Sequence, residues 1–566
     1  MRLTGGSPGR ILYRPSFIWR RKGLITGLAG LIASALVGTT IVGAPAASAS
    51  STETVIVTAT GLLSPVTAVT DVLGTVLTRF HVINGVEASI PAVLEPLLAA
   101  LPGITVTPDV SVDVQSTVES TGPHTPSDAF LQQTGATQLF ASGDTGQGVT
   151  VAVLDTGIDD LPDFAGRLIG GVDLSGGNDP FQDSYGHGTF VAGLIAGDGA
   201  SSGGQYEGEA PGADLVSVKV AGASGVTDLA TVILGVQWAV DNEVAYNIRV
   251  LNMSLGFQPS ESTVINPLDQ AVQAAWNSGI AVVTSAGNAG PSNGTILSPG
   301  DDPLVITVGA LDDMAQPVVS DDEMTNFSSV GPTSPDGWVK PDLVTSGRSV
   351  VSLAAPGSTV YDDYPSALIG QGNSVGSGTS FSAAITSGAA ALILADNPSL
   401  TPDQLKARLL GTTSAGPVGN PFVDGHGALN AYAAATAGPM ELDQSALSLP
   451  PILPGTTVSL SLTGSSADSW NANLWAGVSL PQGSGGGQEW NGSGWNGSAW
   501  NGFAWTSKAW NNGGWNGAAW NGQAWSGSAW DGSSWQGSAW NGAAWTSKAW
   551  NNGGWNGAAW NASEWN

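Results

Sequence analysis

The 566-residue chain contains no cysteine, so no disulfide and no thiolate metal site contributes to it. Positive charge is scarce as well: Lys and Arg number 16 against 45 Asp and Glu, for a formal net charge of −29. Six of those 16 lie before residue 50. Nucleic acid and anionic membrane surfaces are excluded as partners on that count, because neutralising phosphate takes clustered Lys and Arg. The four histidines are His81, His124, His187 and His426, spread along the chain. Their spacing, without cysteine or clustered carboxylates beside them, supplies no metal site. Beyond the first 49 residues no segment is long and apolar enough to be read as a membrane span.

What is present falls into five stretches. Residues 1–49 combine a basic region (Arg14, Arg20, Arg21, Lys22), an apolar run from Leu24 to about Val42 and the small-residue exit Ala47-Ser48-Ala49. This is the pattern of a signal peptide, and it predicts a secreted, extracellular product. Residues 50–122 read as a small α+β unit. Strands are predicted at Thr54–Thr58, Phe80–Val86 and Gly103–Val110, with a short helix at Pro91–Leu101. A Pro, Ser and Thr-rich stretch, Gln115 to Ser127, then suits a processing site.

Residues 123–436 alternate short apolar runs with helical patterns. The runs are Thr150–Leu154, Asp214–Val220, Val250–Met253, Ile280–Thr284 and Leu304–Val308; the helices are Leu229–Asp241, Pro267–Ser278 and Ser382–Ala395. Continuous apolar runs suit strands covered on both faces. The expectation is a three-layer α/β domain, with a mostly parallel sheet and functional loops at the strands' carboxyl ends, where Asp155 stands. Residues 437–489 form a linker. In residues 490–566 Trp recurs every five positions from Trp490 to Trp565, mostly as Trp-Asn-Gly-x-Ala, and Trp505–Asn521 is repeated at Trp545–Asn561. A period of five fits neither helix nor strand, whereas Asn-Gly favours tight turns, so a chain of turns or a narrow coil with one Trp per rung is expected. Low charge leaves flat aromatic faces as the tail's means of contact, with polysaccharide or another cell-surface polymer as the partner. A low-complexity tail without a ligand is the other reading.

Three motifs carry chemistry: Val151-Ala-Val-Leu-Asp155-Thr-Gly, His187-Gly-Thr-Phe-Val-Ala-Gly193 and Gly378-Thr-Ser380-Phe-Ser-Ala. A serine hydroxyl is a weak nucleophile until a base takes its proton, and that imidazole needs a carboxylate to hold its tautomer. The order Asp, His, Ser is the subtilisin order. On these motifs the chain resembles a subtilisin-like (subtilase) serine endopeptidase acting on proteins or peptides. The resemblance implies Ser380 as nucleophile, His187 as base and then acid, Asp155 as its orienter, and Asn288 of Ser285-Ala-Gly-Asn288 as oxyanion donor.

Further implied by it are substrate-binding walls at Ser254, Leu255 and Gly256 and at Ala286 and Gly287. An edge through Gly222 and Gly225 would add the substrate as a strand. These walls are small and uncharged, which favours apolar or mixed side chains. Residues 50–122 would then be an inhibitory propeptide, a partner carried in the same chain. No cofactor is required, although Asp163 could serve a calcium ion; the remaining calcium loops of the family are poorly matched. Phe381, Ser382 and Ala384 stand where the family has Met, Ala and Pro, and Glu209 stands where an apolar residue is usual. A sedolisin-type acid peptidase is disfavoured by His187, and an inert surface-binding scaffold by the four catalytic positions together.

Overall fold

In the computed structural model, residues 51–60, 63–114 and 125–440 are described, together with the backbone of short strands between Gly494 and Trp565. The signal-peptide pattern, most of the Gln115–Ser127 stretch and nearly all of the 437–489 linker lie outside those residues.

The N-terminal unit runs β1 (Thr52–Ala59), α1 (Pro65–Asp71), β2 (Thr75–Arg79), β3 (Gly85–Pro91), α2 (Glu95–Ala99), β4 (Ile104–Pro108) and β5 (Ser111–Val114). Its sheet has the order β2-β3-β1-β4, with β1 antiparallel to both neighbours. Phe80–Val86, expected as a strand, is mostly the turn joining β2 to β3. Its apolar residues are buried for tertiary reasons, and local alternation misassigns them. Alternate residues of β1 face opposite ways. Val55 and Val57 join Ala88, Ile90 and Leu98 in the unit's own core. Ile56, with Phe80, Ile83 and Val112, belongs instead to the large core of the following domain.

That domain opens with α3 (Phe130–Gln133) and α4 (Ala136–Ser142), followed by β6 (Thr150–Asp155), β7 (Leu168–Asp173), α5 (His187–Ala196), β8 (Asp214–Lys219) and β9 (Val226–Asp228). Next come α6 (Leu229–Asp241), α7 (Glu243–Tyr246), β10 (Ile248–Met253), β11 (Leu255–Gly256), α8 (Pro267–Ser278), β12 (Ala281–Ser285) and β13 (Ile306–Asp312). β14 (Glu323–Met324), β15 (Leu343–Ser346), α9 (Thr359–Asp363) and α10 (Thr379–Asp396) complete the frame. The main sheet has the order β14-β13-β12-β10-β6-β8-β7, with β15 also on β13; all of its pairs except β13–β14 are parallel.

All six residues of β6 are buried, as strands covered on both faces require. α6 packs against α8, and α10 packs against α5 and the central strands. The result is the expected three-layer α/β domain. Caps fix the helix starts: Asp228 accepts the Thr231 N–H at 2.7 Å, and Asn266 accepts that of Leu268 just before Pro267. α10 has the length and apolarity of a membrane span, but it is the buried central helix.

In the tail, short strands pair in parallel with partners twenty residues later: Gly494–Trp495 with Gly514–Trp515, Ala499–Trp500 with Ala519–Trp520, and Ala504–Asn511 with Ala524–Asp531. One turn of the coil therefore takes four Trp pentads, in place of the expected single Trp per rung. A five-residue step is too short to return the chain onto itself. Four such steps close a circuit, and each Trp in the described strand pairs has a Trp as its register partner.

Candidate active site

The sheet and two helices bring the three motif residues to one place. Asp155 ends β6 with no exposed surface, and His187 is the first residue of α5. Gly186, with φ of 105°, makes the sharp turn that starts α5 at the histidine. His187 Nδ1 lies 2.8 Å from Asp155 Oδ1 and 3.0 Å from Oδ2, so the carboxylate holds a proton on Nδ1 and leaves Nε2 as the basic nitrogen. That Nε2 is buried and has no hydrogen-bond partner. Ser380 is the second residue of α10; its hydroxyl donates to the Ser254 carbonyl at 3.2 Å, and the Ser254 hydroxyl donates to the Ser380 carbonyl at 3.0 Å. Phe381 packs its ring 5.7 Å from the His187 imidazole and 4.3 Å from Phe190. The departure at this position thus locks α5 against α10 beside the serine.

Asn288 follows β12. Its side-chain oxygen accepts from the Thr379 N–H at 3.0 Å and the Thr379 hydroxyl at 2.9 Å, one residue before Ser380. That commits the oxygen and leaves the NH₂ end as the donor.

A strand of the chain itself lies beside Ser254, between β11 and β9. β5 is sandwiched antiparallel between β11 and β9, with Val114 opposite Leu255, Asp113 opposite Gly256 and Val112 opposite Thr227. The Val114 N–H donates to the Gly225 carbonyl at 3.1 Å. Gly225, Leu255 and Gly256 thus meet β5, an extended segment of the same chain, by its main chain. Gly222 supports the edge from behind, its carbonyl accepting the Gly225 N–H at 3.0 Å. Ala286 and Gly287 are buried, and Leu297 links them to Gly256. Its N–H donates to the Ala286 carbonyl, and its side chain fills the space that a Cβ on Gly256 or Gly287 would need.

The N-terminal unit also grips α6 at both ends. Asp109 accepts the Ala230 N–H at 3.0 Å, and His81 Nε2 lies 2.7 Å from Asp241 Oδ1. Burial, reinforced by Asp228 and Glu87 nearby, raises the Asp109 carboxyl to about 6.

At Asp163, both carboxylate oxygens accept from Ser201, one from its N–H and one from its hydroxyl, and the Arg167 guanidinium sits on the Asp163 carbonyl. Donors and a cation already fill that place, so it does not fit a calcium ion. No group of three His, Cys, Asp or Glu side chains among the described residues has the arrangement of a metal site. Glu209 is fully buried between α5 and α10, and burial holds its carboxyl well above the usual carboxylate range.

One residue escaped the sequence reading. Asp183 is 2% exposed, and it accepts hydrogen bonds from Thr156 Oγ1 at 2.8 Å, Gly186 N at 2.7 Å and Thr189 N at 2.7 Å. Its only signal in the sequence is an acidic residue four positions before His187.

A parallel-sheet α/β fold with an Asp–His pair at a strand end and a serine opening the central helix defines a class, and comparison with known proteins agrees. The family model described as Subtilase family matches residues 146–429, and the chain belongs to that family. It is a subtilisin-like serine endopeptidase. Serine protease AprX of Bacillus subtilis (strain 168) is 42% identical over 311 residues, covering 54% of this chain and 70% of that one. Subtilisin DY of Bacillus licheniformis is 36% identical over 306 residues, covering 53% of this chain and 95% of that one. In fold, the chain is similar to fervidolysin from Fervidobacterium pennivorans, with a TM-score of 0.55 at 23% identity over 69% of this chain and 61% of that one.

Proposed function

We propose that this endopeptidase is made as a secreted precursor and cleaves peptide bonds through an acyl-enzyme on Ser380. The observation that carries the reading is the pairing of His187 Nδ1 with Asp155, with the serine-bearing helix start packed alongside. In this mechanism Ser380 Oγ attacks the substrate carbonyl while its proton passes to His187 Nε2. Asp155 stabilises the imidazolium that forms. The Asn288 NH₂ and the Ser380 N–H bind the oxyanion. The imidazolium then protonates the leaving amine, and water repeats the sequence to release the acid.

Residues 50–122 act as the inhibitory propeptide, a reading supported by β5, which pairs between β11 and β9 in the manner of an extended substrate. Cleavage by the enzyme's own triad falls between Val114 and Ala129. The small, uncharged walls favour apolar side chains in the substrate. The Trp tail, residues 490–566, provides contact with polysaccharide or another cell-surface polymer. The deciding experiment reacts the purified protein with a serine-directed fluorophosphonate and, in parallel, makes Ser380→Ala in a protease-free host. Label on Ser380, an uncut Ser380→Ala precursor and a kcat loss on the order of 10⁶ are expected, the last being a value known for subtilisin. Label elsewhere, or cleavage of the inactive precursor at the same place, overturns the reading.

A further inference from the structure

We propose that Asp183 is a positioning residue for catalysis, a buried anion that ties the Asp155 turn to the first turn of the His187 helix and supports the imidazolium. This rests on the reading of Asp155, His187 and Ser380 as the triad.

Asp183 touches both halves of the Asp–His pair through single intermediates. On one side, the Thr156 hydroxyl donates to Asp183 Oδ1 at 2.8 Å, while the Thr156 N–H donates to Asp155 Oδ1 at 2.8 Å. The same hydroxyl accepts the Gly188 N–H at 2.9 Å, so Thr156 is pinned between the two acids and the histidine helix. On the other side, Asp183 takes up N–H groups that open α5: Tyr185 and Gly186 on Oδ1 at 3.2 and 2.7 Å, and Thr189 on Oδ2 at 2.7 Å. These are the donors that a helix start leaves unpaired, flanking His187 on both sides in sequence. Charge at that end also meets the positive pole of the helix.

The set fits a carboxylate. Burial holds the Asp183 carboxyl above its ordinary range, and the surrounding donors offset only part of that rise. Each of these contacts on its two oxygens is a donor, and a carboxylic acid would need an acceptor in place of one of them. The other charged groups at this corner are Asp155, Asp159 and Lys219. Asp159 Oδ1 accepts the Asp183 N–H at 2.7 Å, and Lys219 Nζ donates to the Gln182 carbonyl at 2.6 Å, so neither neutralises the Asp183 oxygens directly. An asparagine here would keep the size, lose the charge and turn an NH₂ toward backbone N–H groups.

The test compares the full-length enzyme with Asp183→Asn, counting competent sites by the endpoint of fluorophosphonate labelling. Per labelled site, kcat should fall by up to the order of 10² while KM changes little, the size of loss that slight misplacement of a catalytic group produces. The acid limb of the kcat/KM profile, which reports the free-enzyme base, should move to lower pH because the imidazolium has lost a nearby anion. Unchanged kcat per site, or a loss confined to the number of sites with the acid limb unmoved, overturns the proposal. Should Asp183→Asn fail to fold, Thr156→Val and Thr156→Ser decide. Valine removes the hydroxyl bridge and should lower kcat, serine should restore it, and equal rates in the two sink the idea. Persistent labelling in Ser380→Ala would instead overturn the triad reading, and leaves these variant ratios to be read separately.

Discussion

The N-terminal unit and the main domain are both built round β-sheets, yet they bury them differently. In β6 every residue is enclosed, whereas β2 alternates exposed and half-buried positions. The parallel sheet has helices on both faces and needs nothing else to cover it. The small sheet covers one face with its own α1 and α2, and gives Ile56 on the other face to the core of the domain it docks on. One region is complete in itself, and the other is complete only while bound. That difference suits the proposed role of residues 50–122 as a propeptide, which must be held tightly and later removed without unravelling the main domain.

The enclosure of the parallel sheet is tested most severely at β6. Leu154 is fully buried there, and Leu154→Ala should cost about 2–5 kcal/mol of unfolding free energy, read by denaturant titration of the Ser380→Ala chain. A much smaller loss would mean that the sheet is less enclosed than described. Ile56→Ala should act elsewhere. Removing its apolar contact should weaken the grip of the N-terminal unit by about 2 kcal/mol, roughly 30-fold, while the main-domain transition stays in place. The readout is a shorter lag before full activity appears. An equal fall in the main-domain transition would show that the two regions form a single cooperative core.

A pH effect sharpens the same boundary. The Asp109 carboxyl is raised to about 6 in the docked state, so the docked state holds its proton more tightly than the free unit does. The grip is therefore full below the ordinary carboxylate range and weakens as pH rises through about 6. The activation lag, scaled to the rate of matured enzyme, should shorten across that interval, and Asp109→Asn should flatten the dependence. A lag that shortens equally in the variant would assign the effect to another group, with His81 facing Asp241 the first to test. The smallest effect is expected from deleting residues 490–566. Hydrolysis of a small soluble peptide should stay within about twofold, while action on whole cells or particulate protein falls. Loss of peptide hydrolysis would make the tail part of the catalytic fold.

Much of the site was legible because its chemistry is local in sequence. A carboxylate at the end of an apolar run, a histidine opening a small-residue helix and a serine in a Gly-Thr-Ser turn each announce themselves within a few residues. The parallel strands β6, β8, β10, β12 and β13 were legible for the same reason, whereas β7 and β15 were not, and the bounds of Leu229–Asp241 and Pro267–Ser278 match helices α6 and α8. What escaped depends on distance in sequence. Asp183 matters through Thr156, twenty-seven positions away, and no local pattern marks it. β2 and α1 were overlooked because their apolar residues are few and their burial comes from packing on β3 and β1. The strand β5 carries too short a pattern to be recognised before its partners β9 and β11 are in place.

The twenty-residue circuit of the tail bears on how such a protein changes over generations. Trp505–Asn521 recurs forty positions later, which is two whole circuits, so that duplication left each strand facing an equivalent strand. Copying errors that add or remove multiples of twenty residues lengthen or shorten the stack and keep its columns aligned. A gain of five or ten residues, although it preserves the Trp spacing, would set the circuit that receives it out of phase with the next. Natural variants of this tail should therefore differ in length by steps of twenty, a ruler written in the genome by the geometry of one turn.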